Sequence, residues 1–136
     1  MNELEIEVKF YVELPARMQD QILALGAEGR PEVFEHNIRF EDAADSLTAR
    51  GCLLRLRRDD RSWLTFKSPP PKDQREPGQF KVMEELEVSV SDFETTHRIL
   101  EALGFRPDRI YQKKRRTFLL AGCHLCLVTV GIESTN

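Results

Sequence analysis

The chain has few cysteines and no long apolar segment, and both scarcities exclude classes of protein. Its three cysteines, Cys52, Cys123 and Cys126, are too few and too unevenly spaced for a disulfide framework. No apolar run approaches the roughly 18 residues that a membrane-spanning helix needs. The N-terminus carries acidic, strand-like sequence where a signal peptide would be apolar. We therefore expect a reduced, cytoplasmic protein with no membrane partner.

Neither sign of charge dominates the sequence. The chain has 20 basic and 23 acidic residues, a net charge of −3, so it lacks the overall field that attracts nucleic acid. A length of 136 residues with 40% hydrophobic and 32% charged residues indicates one folded domain over residues 1–136. The basic residues are nevertheless clustered in residues 50–61 and 113–116. Local anion binding is therefore compatible with the composition, whereas a nucleic-acid partner is not expected.

Alternation of charged and apolar residues predicts strands along most of the chain. In the first segment, Leu4, Ile6 and Val8 share one face, while the charged residues between them share the other. A Pro-rich stretch at residues 68–78 predicts a loop. Strands are predicted at residues 3–11, 34–41, 52–58, 62–67, 80–90, 109–120 and 123–131.

Two helices and an internal repeat complete the predicted architecture. One helix follows Pro15 and stops at Gly26, and the other is capped by Ser91 or Asp92 and stops at Gly104. Each helix follows a strand that contains Glu-Leu-Glu and precedes a further strand. The chain therefore has the pattern of a duplicated strand–helix–strands unit of about 80 residues. By that symmetry the second copy lacks about one strand.

Like-signed charges recur at alternate positions, which places them on one face of each strand. A solvated face of an ordinary sheet explains any single strand more simply. However, two neighbouring Glu residues repel each other, and so do two neighbouring Arg residues. A divalent cation would neutralise the carboxylates, and a phosphate chain would neutralise the arginines. A barrel lined by both would bind a metal–polyphosphate complex. The residues are Glu5, Glu7 and Lys9, then Arg55 and Arg57, then Lys67, then Glu85 and Glu87, then Lys113 and Arg115.

Taken together, these strands resemble the CYTH superfamily of triphosphate tunnel metalloenzymes, which includes class IV adenylate cyclases and thiamine triphosphatases. Glu5-x-Glu7-x-Lys9 is similar to the ExExK signature of that family. Because this signature recurs by chance, the specific evidence is the ordered set of five motifs over residues 3–127. The other matching segments are Leu54-Arg55-Leu56-Arg57, Leu64-Thr65-Phe66-Lys67, Glu85-x-Glu87 and Lys113-x-Arg115, and Asn37 and Phe40 also fit the pattern.

The resemblance implies an α+β fold, namely an eight-stranded antiparallel β-tunnel with helices packed outside. It also implies a cytoplasmic enzyme that binds a triphosphate-containing small molecule and hydrolyses or cyclises it. By the same resemblance, Lys9, Glu85 and Glu87 are catalytic, and Mg²⁺ or Mn²⁺ is held by Glu5, Glu7, Glu85 and Glu87. The residues expected to bind phosphate oxygens are Lys9, Arg39, Arg55, Arg57, Lys67, Lys113 and Arg115.

The last residues depart from the family pattern. Val128 occupies the position where the family has an Asp, and residues 129–136 do not supply the expected final strand. We therefore expect a domain that is incomplete at its C-terminus, with its last strand missing. Such a chain would have an open sheet edge, which favours a homodimer or aggregation and weak or absent activity.

Two other functions remain compatible with the sequence. A non-catalytic polyphosphate- or nucleotide-binding domain is favoured if the acidic C-terminal strand is truly lost. A nucleic-acid-binding β-barrel could use the arginine strands, although the acidic strands at residues 3–9 and 84–87 argue against it. The sequence also leaves open whether the triphosphate is ATP, thiamine triphosphate or tripolyphosphate, and whether it is hydrolysed or cyclised.

Overall fold

Antiparallel strands alternate with helices along the chain. The computed structural model describes residues 3–71 and 81–135. Its helices are α1 (Pro15–Ala24), α2 (Ser46–Ala49) and α3 (Phe93–Ala102). Its strands are β1 (Glu3–Glu7), β2 (Glu28–Gly29), β3 (Val33–Glu41), β4 (Leu53–Arg58), β5 (Ser62–Ser68), β6 (Lys81–Val90), β7 (Arg106–Leu120) and β8 (Cys123–Thr135).

All strands belong to one curled antiparallel sheet that forms a half-barrel. The strand order is β1-β6-β5-β4-β3-β7. One side of β7 pairs with β3 and then, nearer its C-terminal end, with the short β2, and its other side pairs with β8. Within the described residues no backbone pairing joins β8 to β1, so these two strands form the edges. The predicted α+β antiparallel architecture is confirmed, whereas a closed tunnel is not formed by the part of the chain that the structure describes.

The hydrophobic core lies on the convex side of the sheet. Leu56 is fully buried and Ile38 nearly so, and both pack with Phe93 and Leu100 of α3. Burial of this apolar face stabilises the fold by roughly 25 cal/mol for each Å² removed from water. The side chain of Asp92 caps α3 by accepting a hydrogen bond from the Thr95 backbone N–H at 2.8 Å. None of the described helices is long enough to cross a membrane.

A carboxylate explains the short helix α2, which the sequence analysis did not predict. Glu41 ends β3 and is nearly fully buried. Its side chain accepts hydrogen bonds from the backbone N–H groups of Leu47 at 3.0 Å and Thr48 at 2.8 Å. Burial acts to raise the pKa of Glu41, but the hydrogen bonds from Thr48, Asp42 and Leu47 outweigh it and hold the pKa below its usual value. The ionised carboxylate therefore anchors α2 against β3.

The ends of the first and last strands each differ from the predictions by four residues. The first strand ends at Glu7 and does not continue to residue 11, because its pairing with β6 begins at Glu7 opposite Lys81. The last strand runs to Thr135 and does not stop at residue 131, because it pairs with β7 as far as Arg109. Residues 129–135 thus continue β8 and do not form a separate strand.

Candidate functional site

Backbone register places the predicted site residues of every strand on one face of the sheet. Arg39 lies opposite Arg55, Arg55 opposite Thr65, and Thr65 opposite Glu87. Directly opposite residues in antiparallel strands point to the same side. This side faces away from the core beneath α3, and we call it the inner face. The other predicted residues at inner-face register positions are Glu5, Glu7, Arg57, Lys67, Glu85, Lys113 and Arg115.

Three arginines occupy one cross-strand row at the centre of the inner face. Arg109 of β7 lies opposite Arg39 of β3, which lies opposite Arg55 of β4. Like charges directly opposite each other destabilise a sheet unless something neutralises them. The nearly fully buried Arg55 makes that cost larger, because burial removes the screening by water. This row therefore has the charge and the position to bind an anion.

A buried carboxylate lies further along β3 on the same face. Glu35 of β3 is 3% exposed and lies directly opposite Lys113 of β7. Its Oε2 is 3.8 Å from Arg57 Nη1 and 3.8 Å from Arg115 Nε, so one carboxylate forms ion pairs with arginines of two different strands. Arg57 Nε also lies 3.6 Å from Oδ2 of Asp59, beyond the end of β4. The inner face is thus a mixed cluster in which cations predominate.

Several buried polar atoms of this cluster have no hydrogen-bond partner among the described residues. Most buried polar groups in folded proteins are paired, so a concentration of unpaired ones requires a reason. Here all of them lie on adjacent strands β3, β4 and β7, where an anion would supply acceptors for the guanidinium groups. The atoms are Oε1 of Glu35, both amide atoms of Asn37, and Nε of Arg55, Arg57 and Arg115.

The surroundings of Lys113 lower its pKa to about 8. Burial of the ammonium group is the largest cause, followed by the positive charges of Arg115 and Arg55. The carboxylate of Glu35 acts in the opposite direction and raises the pKa, whereas Lys9 lowers it further. Lys113 therefore loses its proton at a pH much closer to neutral than an isolated lysine does.

The acidic residues lie at the other end of the inner face, and their carboxylates are engaged by neighbouring side chains. Glu7 is 3.3 Å from Nζ of Lys9, and Glu85 is 3.5 Å from Nζ of Lys67. Thr65 donates its hydroxyl to Oε2 of Glu87 at 2.7 Å. Glu5 holds an inner-face register position opposite Met83, and its side chain lies outside the described part of the chain.

These carboxylates have the chemistry that a hard divalent cation prefers, since Mg²⁺ and Mn²⁺ favour oxygen ligands. Among the side chains that the structure describes, no three acidic, His or Cys residues converge on one point. The predicted set of Glu5, Glu7, Glu85 and Glu87 therefore fits a cation by residue type and by face. The described carboxylates are arranged as pairs with Lys or Thr and not as a ligand cluster.

Lys9 is placed differently from the prediction, which assigned it to the first strand. It lies beyond the end of β1 and its side chain is 71% exposed. Lys9 still influences Lys113 electrostatically, so it lies at the margin of the cationic cluster. Trp63 lies at an inner-face position, opposite Arg57, and is half-buried. The inner face of β8 is apolar at Val128 and Val130.

Sequence reasoning missed two inner-face residues, although signals for both were present. Arg109 precedes Lys113 and Arg115 at even spacing on β7, so the same alternation places it on the same face. Glu35 precedes Arg39 at even spacing on β3. A search for like-signed pairs overlooks both, because Tyr111 and Asn37 separate them from the next charge on that face.

Comparison with known proteins is consistent with this geometry. The model of the family described as "CYTH domain" matches residues 3–133. A solved structure from Pyrococcus horikoshii is 26% identical, with a TM-score of 0.71 over 96% of this chain and 71% of that chain. A Hippeastrum protein, provisionally described as an adenylyl cyclase and titled as having a dominant triphosphatase activity, is 17% identical. Its TM-score is 0.62 over 96% of this chain and 72% of that chain.

A third solved structure has the same fold. The Vibrio parahaemolyticus protein, provisionally described as an adenylate cyclase, is 16% identical with a TM-score of 0.59 over 93% of this chain and 67% of that chain. At such identities the likeness concerns the fold alone. A comparison with curated proteins finds no significant match.

Proposed function

The chain belongs to the CYTH domain family, and from that premise we propose that its inner face binds the phosphate chain of a triphosphate-containing molecule. The observation that supports this most strongly is the cross-strand row of Arg109, Arg39 and Arg55. A phosphate chain supplies several anionic oxygens in a line, and arginine binds such oxygens in a bidentate manner. To the predicted residues we add Arg109, because it lies opposite Arg39 in the same row. The phosphate-binding residues that we propose are therefore Lys9, Arg39, Arg55, Arg57, Lys67, Arg109, Lys113 and Arg115.

We further propose that Glu5, Glu7, Glu85 and Glu87 hold a divalent cation, Mg²⁺ or Mn²⁺, beside the phosphate chain. When bound, such an ion would neutralise phosphate charge and supply a water of lowered pKa. Lys67 and Lys9 now neutralise two of these carboxylates, at 3.5 and 3.3 Å respectively. When a cation binds these carboxylates, both lysines can pair with phosphate oxygens instead. Each ammonium group then exchanges one anionic partner for another.

The reaction that this arrangement supports best is hydrolysis of a terminal phosphate. Phosphoryl transfer needs positioning and neutralisation of negative charge more than covalent chemistry by the protein. In this proposal Lys9, Glu85 and Glu87 act at the reacting end, and the arginine row holds the rest of the chain. Cyclisation of a nucleotide would use the same contacts, with a ribose hydroxyl attacking the α-phosphorus.

Binding without turnover is the second candidate. It is favoured by the carboxylates of β1 and β6, which pair with Lys and Thr and do not converge on one point within the described residues. A domain of this kind would bind the triphosphate through the cationic cluster alone.

Calorimetric titration and a product assay on the same preparation distinguish these candidates. Tripolyphosphate, ATP and thiamine triphosphate would each be titrated, and then incubated with and without Mg²⁺ or Mn²⁺. Release of phosphate or of a cyclic nucleotide that needs the cation supports the enzyme. Binding with no product supports the second candidate, and absence of binding for all three contradicts both. Steeply salt-dependent binding of single-stranded or duplex nucleic acid without a cation would instead favour a nucleic-acid-binding barrel.

A further inference from the structure

We propose that Glu35 is a positioning residue of the phosphate-binding face, holding the guanidinium groups of Arg57 and Arg115 at the spacing that an extended phosphate chain requires. The inference rests on the proposed function and adds to it a residue that does not itself touch the ligand. At 3% exposure, Glu35 lies beneath the surface that a phosphate chain would contact. The two arginines are more exposed than the carboxylate, with 14% and 31% of their side chains accessible.

The geometry shows how one carboxylate acts on two strands. Glu35 belongs to β3, which pairs with β4 on one side and β7 on the other. Its Oε2 lies 3.8 Å from Arg57 of β4 and 3.8 Å from Arg115 of β7. Without a negative charge between them, these guanidinium groups would repel each other across β3 in surroundings of low dielectric. The carboxylate therefore offsets the repulsion and keeps both groups over the same region.

Glu35 also affects the third cation of this region. It lies directly opposite Lys113 and raises the pKa of that lysine against the effect of burial. Removing the carboxylate should thus lower the pKa of Lys113, so that binding by its ammonium group is lost at lower pH. The groups that face Lys113 are Arg115 on its own strand, Glu35 of β3, Arg55 of β4, Lys9 beyond β1, and the ring of Tyr111 at 5.6 Å.

The test compares inorganic tripolyphosphate with inorganic phosphate by calorimetry, without divalent cations, for the full chain and two variants. For Glu35→Gln we expect the Kd for tripolyphosphate to rise about tenfold, because two contacts are misplaced. The Kd for phosphate, which needs only one arginine, should stay within about twofold. The matched control is Asp59→Asn, which removes the other carboxylate near Arg57. The control should keep the wild-type ratio of the two dissociation constants.

The pH dependence supplies a readout that a purely structural role would not change. The pH at which tripolyphosphate binding falls to half should move down by about one unit in Glu35→Gln. It should not move in Asp59→Asn. Tighter binding of both anions by Glu35→Gln with an unchanged midpoint would overturn the proposal, because Glu35 would then act only by lowering the local potential.

A measurement on the wild-type chain covers the case in which Glu35→Gln fails to fold. Nitrogen-15 NMR can follow the Nε resonances of Arg57 and Arg115 as the pH falls from 7 to 3. A protonation event that both resonances share supports a common carboxylate partner, whatever Arg57 also senses from Asp59. The absence of any shared event overturns it. If tripolyphosphate does not bind the wild-type chain, the proposed function fails, whereas this titration still decides the role of Glu35.

Discussion

The two ends of the inner face differ in how far the protein organises them without a ligand. At the cationic end, on β3, β4 and β7, the charges of Arg55 and Glu35 are nearly fully buried, and several guanidinium donors have no hydrogen-bond partner among the described residues. At the acidic end, on β1 and β6, Glu87 is exposed and Glu85 is paired with a lysine of the next strand. The difference indicates that the proposed anion site would be preformed, whereas the proposed cation site would form by exchange of partners.

The largest expected effect is at the acidic end. Replacing Glu5 or Glu7 with Gln should abolish Mg²⁺-dependent release of phosphate from tripolyphosphate, because the cation loses a charged ligand. The melting temperature should change little, because the pair that Glu7 forms with the exposed Lys9 contributes little to stability. Glu84→Gln, which changes the opposite face of β6, is the control and should keep full turnover. If the Glu5 or Glu7 variants unfold, or if they keep full activity, these two side chains do not lie on the inner face as assigned.

The next effect concerns stability and should leave the inner face unchanged. Leu56 is fully buried on the convex side of β4, between two arginines of the inner face. Leu56→Ala should lower the free energy of unfolding by about 2–5 kcal/mol in urea denaturation. Leu56→Met should cost less than about 1.5 kcal/mol because the volume is conserved. A large change in the Kd for tripolyphosphate, measured well below the unfolding transition, would contradict the separation of the two faces.

At the cationic end, Arg55→Ala and Arg57→Ala should each weaken tripolyphosphate binding by about 1.5–3 kcal/mol, or about 10–150-fold. Inorganic phosphate should be affected far less, because it cannot engage several arginines at once. Arg58→Ala provides the control, since that guanidinium lies on the convex side, 4.4 Å from the ring centre of Phe93. Equal weakening for both anions would mean that the arginines act only as a diffuse field.

The smallest expected effect is the pH dependence set by Lys113. As the pH rises through about 8, Lys113 loses its proton, and tripolyphosphate binding should weaken about fivefold. Stability of the ligand-free protein should change in the opposite direction. Between about pH 8 and the ordinary lysine range, the unfolded chain binds more protons than the folded one, so the free energy of unfolding rises with pH. Both effects should disappear in Lys113→Gln, and their persistence there would assign them to another group.

Much of the fold was predictable because its signals are local. Within residues 3–71 and 81–135, charge alternation located every strand except the two-residue β2, and the glycines and caps located α1 and α3. The helix α2 was not predictable, because its N–H groups are bound by Glu41, which lies outside the helix. Strand ends were wrong where pairing decides them, at residue 7 of β1 and residue 135 of β8.

For the candidate site, the sequence by itself determined which face each charged residue would take. Alternation within a strand is a consequence of backbone geometry, and the register agrees with it for Arg55, Lys67 and Glu85 alike. Only the tertiary structure decided which charges meet. The row of Arg109, Arg39 and Arg55, and the carboxylate of Glu35 between two arginines, depend on the register of β3 with both of its neighbours. Register is set by the packing of the whole convex face, and no single strand contains that information.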